Sequence, residues 1–250
     1  MNVSIQHKEI RIRDVASAEI TKIISHPTVI VTLAITMFIN LSFAIIDATG
    51  ILFYTASNQG PATLSDFGVV MFFPIYAFLV LPIIAASSEY KDGQFRMTLT
   101  AIPNRQTLMI GKFIAMVIAV LSATLVVLIP ARLIIGISDG LSIGTLILDL
   151  SRWITVYLLM SLIAFGLAGF LRSTVAPLTI LIMIPIFVAT GILQWPEGLR
   201  FLPDQASMSL LGTPAYDVTE LPAQIAFIAL LCWALLWALT YWITLIRRDS

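Results

Sequence analysis

Six stretches of this chain are each long and apolar enough to cross a lipid bilayer, which takes about 20 helical residues. They cover residues 28–46, 67–86, 108–131, 153–171, 174–193 and 223–246. Inside hydrocarbon a chain must satisfy every backbone polar group internally, and continuous apolar runs do so as helices. The expected fold class is therefore all-α, a polytopic membrane protein with six transmembrane helices. Composition points the same way: 59% of residues are hydrophobic and 11% charged, where a soluble domain carries about a quarter charged. The 14 basic and 14 acidic side chains cancel, so net charge implies no nucleic-acid partner. Cys232 is the single cysteine and cannot form a disulfide within the chain. No signal peptide is expected, because the first apolar run begins only after a polar, charged leader with no cleavage-type flank.

Residues 1–27 do not span. Ile12, Val15, Ala16, Ile20, Ile23 and Ile24 fall on one helical face, with Arg13, Asp14, Ser17, Thr21 and Lys22 on others. That pattern predicts an amphipathic helix lying in the membrane interface, ahead of a single transmembrane domain over 28–250. Pro74 and Pro82 in the second span, and Pro177 and Pro185 in the fifth, should kink or loosen their helices. Small residues Ala164, Gly166, Ala168 and Gly169 offer a face for close helix packing. With the N-terminus in the cytoplasm, eleven cations fall inside and three, Arg132, Arg152 and Arg200, outside. The positive-inside rule then places both termini and the 87–112 segment in the cytoplasm of a multi-pass membrane protein. The long outer segment 194–222 holds two short apolar pieces, read as short helices in the outer leaflet or capping the bundle.

The 87–112 segment, SSEYKDGQFRMTLTAIPNRQTLMIGK, is the densest polar interruption. Gly93 suits a chain reversal with positive φ. From Phe95, the spacing of Phe95, Leu99 and Ile102 predicts a short amphipathic helix. Pro103 ends it, and Asn104 can cap the next helix. Mixed charge around a few apolar anchors suits a protein partner better than lipid. Catalytic chemistry has little to work with. His7 and His26 both precede the first span, which argues against a histidine-ligated metal in the bilayer and against an intramembrane Ser-His pair. No acid or base lies mid-span, and Gly111-Lys112 lacks the rest of a phosphate-binding loop.

The run Glu89-Tyr90-Lys91-Asp92-Gly93-Gln94-Phe95-Arg96, followed by Leu99, Pro103, Arg105 and Lys112, resembles the signature of the type-2 ABC transporter permeases. The segment containing Glu19 and Lys22 is similar to that family's interfacial helix before the first span. Gln94 departs from the pattern, since many relatives carry a small hydroxyl residue there. The resemblance implies the six-span membrane subunit of a bacterial ABC exporter in the plasma membrane, without an ATPase site or cofactor of its own. ATP and Mg would be bound by a separate cytoplasmic ATP-binding subunit. It implies a coupling surface for that subunit made of Glu89, Tyr90, Asp92, Gly93, Gln94, Phe95, Arg96, Leu99, Pro103 and Arg105, with Glu19 and Lys22 on the interfacial helix. It implies pairing with a second permease copy or a related permease, among membrane lipids. The implied cargo is an amphipathic peptide, lipid or drug moved outward.

Two other readings stand beside it: an antimicrobial-peptide immunity or sensor protein that binds at its outer surface without transport, and an intramembrane enzyme.

Overall fold

The computed structural model describes residues 11–50, 54–55, 61–62, 68–102, 104–190, 195–213 and 219–247, with backbone alone at 54–55, 61–62, 91–96, 99, 189 and 196. It is helical throughout apart from a two-residue antiparallel ladder, Tyr54–Thr55 with Pro61–Ala62. Helix α1 (Ile12–Ser25) turns at His26 into α2 (Pro27–Thr49), whose proline at the first helical position has no N–H to lose. The next apolar column is broken into α3 (Gly68–Phe72), α4 (Pro74–Phe78) and α5 (Val80–Ser87). Pro74 opens the second piece, and the breaks loosen this span as its prolines predict.

A 3-10 helix (Ser88–Gly93) leads directly into α6 (Gln94–Ala101). Gly93 is thus the last residue of a 3-10 turn, directly before α6. The side chains of Asp92, Gln94, Phe95, Arg96 and Leu99, and Pro103 entirely, lie outside the described residues. Asn104 caps α7 (Arg105–Ser138) as expected, its Oδ1 accepting the Gln106 and Thr107 N–H groups at 3.0 and 3.2 Å. Gly140, at φ +64, turns the chain out of α7, and Ser142 caps α8 (Ile143–Leu171). After α8 come α9 (Ala176–Ala189), α10 (Pro196–Leu199), α11 (Pro203–Leu211) and α12 (Ala223–Arg247).

Among the described residues five helical stretches are long and apolar enough to cross a membrane: Pro27–Thr49, Gly68–Tyr90, Arg105–Ser138, Ile143–Leu171 and Ala223–Arg247. They make this a membrane-embedded, multi-pass protein. In the fifth expected span the helix covers Ala176–Ala189, about 21 Å at 1.5 Å per residue, and residues 191–194 lie outside the description. The 68–90 column is central, with 72% of its most apolar window buried, against 17% for both α2 and α12. Phe78 meets Tyr157 of α8 at 4.9 Å between ring centroids, and Phe165 meets Tyr241 of α12 at 5.3 Å. The small-residue face of α8 does bring α12 close. A Cβ on Gly166 would strike the Trp237 backbone, and one on Gly169 the Tyr241 ring. Helices α8 and α12 therefore run parallel, and both end where α1 lies.

Candidate functional site

At that end of the bundle four charged side chains from distant parts of the chain meet. Glu19 and Lys22 come from α1, Glu89 from the 3-10 helix, and Lys112 from the first turns of α7. Lys112 Nζ lies 3.0 Å from Glu19 Oε2 and 2.9 Å from Glu89 Oε2. Lys22 Nζ lies 2.6 Å from Glu89 Oε1 and 3.8 Å from Glu19 Oε1. Thr98 of α6 donates its hydroxyl to Glu89 Oε1 at 3.3 Å. Side-chain exposures are 1% for Lys112, 4% for Glu89 and 9% for Glu19, against 34% for Lys22. The group is thus a buried, charge-balanced ring with one cation at its solvent edge.

Local sequence explains how the ring closes. The buried stripe of α1 is Val15, Ala16, Glu19 and Ile23, which puts a carboxylate in the middle of an apolar face. The face expected from sequence also held Ile12 and Ile24, but these are exposed, at 39% and 61%. The helix is rotated so that Glu19 points inward, because Lys112 is there to receive it. Gly111 permits the approach: a Cβ at this position would sit 2.8 Å from Val15 Cβ. Lys112 can stay charged out of water only because two carboxylates reach it. Removing one partner of such a buried pair costs about 3–5 kcal/mol.

The ring is bordered by contacts to the remaining long helices. Arg172 Cζ lies 5.3 Å from the Tyr90 ring centroid, and the Tyr241 hydroxyl donates to the Ala86 carbonyl at 3.5 Å. Arg172 caps α8 in the left-handed region, at φ 51, a conformation that costs a non-glycine residue about 1 kcal/mol or more. Arg105 Nη1 donates to the carbonyls of Leu245 at 3.2 Å and Ile246 at 3.5 Å, in the last turn of α12, where a helix leaves its carbonyls without intrahelical partners. Of the residues singled out in the sequence, Glu19, Lys22, Glu89, Tyr90 and Arg105 therefore gather at one end of the bundle.

Comparison with known proteins finds no matching family model and no matching curated protein. What the site can do is thus read from its own geometry. Among the described residues no three of His, Cys, Asp and Glu gather as a metal site requires. The ring is suited to transmitting force. A displacement of the 88–101 segment that pulls Glu89 away breaks its pairs with Lys112 of α7 and Lys22 of α1 and leaves Lys112 with Glu19 alone, so Glu89 ties the segment to both helices. Lys112, Arg172 and Tyr241 were not among the residues singled out as a site. The available signal for Lys112 was its position: a lysine a turn inside an apolar run must find anions.

The opposite end of the bundle carries its own polar groups. Arg132 forms a two-point bridge to Asp149, both contacts at 2.8 Å, and lies 4.5 Å from the Trp153 ring centroid. These residues and Asp139 line a cavity of about 270 Å³. Burial, followed by the nearby Asp47 charge, pushes the Asp139 carboxyl above its ordinary range. Asp204 in the first turn of α11 is buried, and that burial likewise pushes its carboxyl up, opposed by a hydrogen bond from Gln205.

Proposed function

We propose that this chain is the membrane-spanning permease subunit of an ATP-binding cassette exporter, working outward on an amphipathic peptide, lipid or drug. In this reading α9 and the residues after it make a sixth crossing. Both termini and the 87–112 segment face the cytoplasm of a bacterial cell. A separate ATP-binding subunit docks on Asp92, Gly93, Gln94, Phe95, Arg96 and Leu99, and a second permease completes the translocation path.

The observation that supports this reading is the buried ring of Glu19, Lys22, Glu89 and Lys112. A permease without an ATPase site must receive work through contact. A 3-10 helix joined to the long helix α7 and to the N-terminal helix α1 by buried ion pairs can pass a push on to both. An ordinary connecting loop has no need of a buried lysine.

A second reading, an immunity or sensor protein that binds a peptide at its outer surface, is favoured by the cavity beside Arg132, Asp139 and Asp149. One experiment separates the two. The tagged chain is purified from its own host's membranes as wild type and as Phe95→Ala/Arg96→Glu, and co-purifying ATPase and export of labelled amphipathic peptide are measured. The permease reading expects an ATP-binding subunit with the wild type, and its loss together with export in an inserted, folded variant. Full partner binding and export in the variant would remove the coupling role. Peptide binding with no ATPase partner would favour the second reading.

A further inference from the structure

We propose that a groove between the N-terminal parts of α8 and α12 seats a membrane phospholipid, with Arg152 and Gln224 holding its phosphate. This rests on membrane insertion alone and stands whether or not the chain is a permease.

The register of the two helices sets the site. They run parallel, with Gly166 against Trp237 and Gly169 against Tyr241. The same alignment continued toward their N-termini brings Arg152 beside Gln224, and both line a groove of about 570 Å³ with Leu210 of α11 beneath. Arg152 is exposed and makes no ion pair among the described residues. The neighbouring carboxylate Asp149 is already bridged to Arg132. The hydroxyls of Ser151 and Thr155 donate back to carbonyls of α8, at 2.7 and 2.8 Å. That leaves the guanidinium and the Gln224 amide as donors facing the groove, a pairing suited to phosphate oxygens.

Depth makes the phosphate a lipid's. Residues 153–171 of α8 are bounded by Arg152 at one end and Arg172 at the other. That run is about 29 Å long at 1.5 Å per residue, close to the hydrocarbon thickness of a bilayer. Arg152 therefore lies at the headgroup level of the leaflet opposite the ion ring. From there the groove descends along Phe227 and Ile228, which are 40% and 57% exposed, so an acyl chain can follow the phosphate down. A soluble anion would gain nothing from that apolar wall.

The test is native mass spectrometry of the full chain released from detergent micelles doped with dioleoyl phosphatidylglycerol, or with dioleoylglycerol, which has the same chains and no phosphate. Wild type should retain the phospholipid and not the diacylglycerol. Arg152→Gln should lower phospholipid retention about tenfold, the effect of losing one charge-assisted hydrogen bond. Arg152→Lys should restore part of it, and Arg247→Gln, at the other end of α12, should change nothing. Size exclusion and thermal unfolding without added lipid check that each variant is folded. An excess of inorganic phosphate should leave the lipid bound. Equal retention by wild type and Arg152→Gln, equal retention of the diacylglycerol, or displacement by inorganic phosphate would each overturn the proposal. So would a two-chain complex that Arg152→Gln dissociates, since a second copy would then be the occupant.

Discussion

Replacing Lys112 by methionine keeps most of the buried stem and deletes the charge at the centre of the ring. Glu19 and Glu89 would then be left with Lys22 alone, which is 2.6 Å from Glu89 but 3.8 Å from Glu19. Glu19, on the buried face of α1, loses its close partner. A buried pair broken in this way costs about 3–5 kcal/mol. Taking 3 kcal/mol, α1 should lift from the bundle roughly 10²-fold more often, at about 1.4 kcal/mol per factor of ten. Local opening can be read by thiol labelling, because a buried cysteine reacts only when its helix opens. The reporter is Ala16→Cys, on the buried stripe, in a Cys232→Ser background that removes the exposed native thiol. The partner variant is Lys112→Met/Glu19→Gln, which restores charge balance by leaving Glu89 with Lys22. Its labelling rate should return to within roughly tenfold of the background, a coupling of about 1.5–3 kcal/mol, as expected for residues in direct contact. Labelling accelerated less than about threefold in the single variant, or a double variant as fast as the single, would show that the ring does not hold α1 down.

Two further outcomes follow from the packing. Gly166→Leu drives a side chain into the Trp237 backbone and should lower stability in a denaturing-detergent titration by about 1–3 kcal/mol or more, whereas Gly144→Leu, where an added Cβ meets only Ser142 Oγ at 3.9 Å, should change it little. Asp204→Asn should remove one pH-dependent contribution to stability: burial raises the native carboxyl's pKa above its ordinary 3.8, so the folded state binds more protons at this site and the Asp204 contribution falls as pH rises from about that value through the raised one. Unfolding midpoints of wild type and variant across acidic to neutral pH check this, and a wild-type-minus-variant difference that rises with pH over the same window would refute it.

What the sequence made legible is what local physics controls. Apolar runs longer than a bilayer is thick have one stable form, so hydropathy alone places the long helices. The Asn104 cap and the close face at Gly166 and Gly169 depend on residues within a turn of one another or on the absence of a side chain, and both were readable. The breaks at Phe73 and Leu79 were legible as a tendency through Pro74 and Pro82, though not as three separate helical pieces. The ring was not legible, because its pairs join residues 67 and 93 positions apart. Within its own loop Glu89 has Arg96 a few residues on, and a local reading assigns it a weak surface bridge. Its actual partners are visible only once α1 is folded against α7. A constraint could still have exposed them. Lys112 sits where water cannot solvate it, Glu19 sits on an apolar stripe, and each is costly alone. Charges that would be ruinous singly must be read jointly, so the two buried ions of opposite sign at one end of the bundle imply each other. The same logic, run in reverse, singles out Arg152: it makes no ion pair among the described residues, and its counter-charge is to be sought in the lipid.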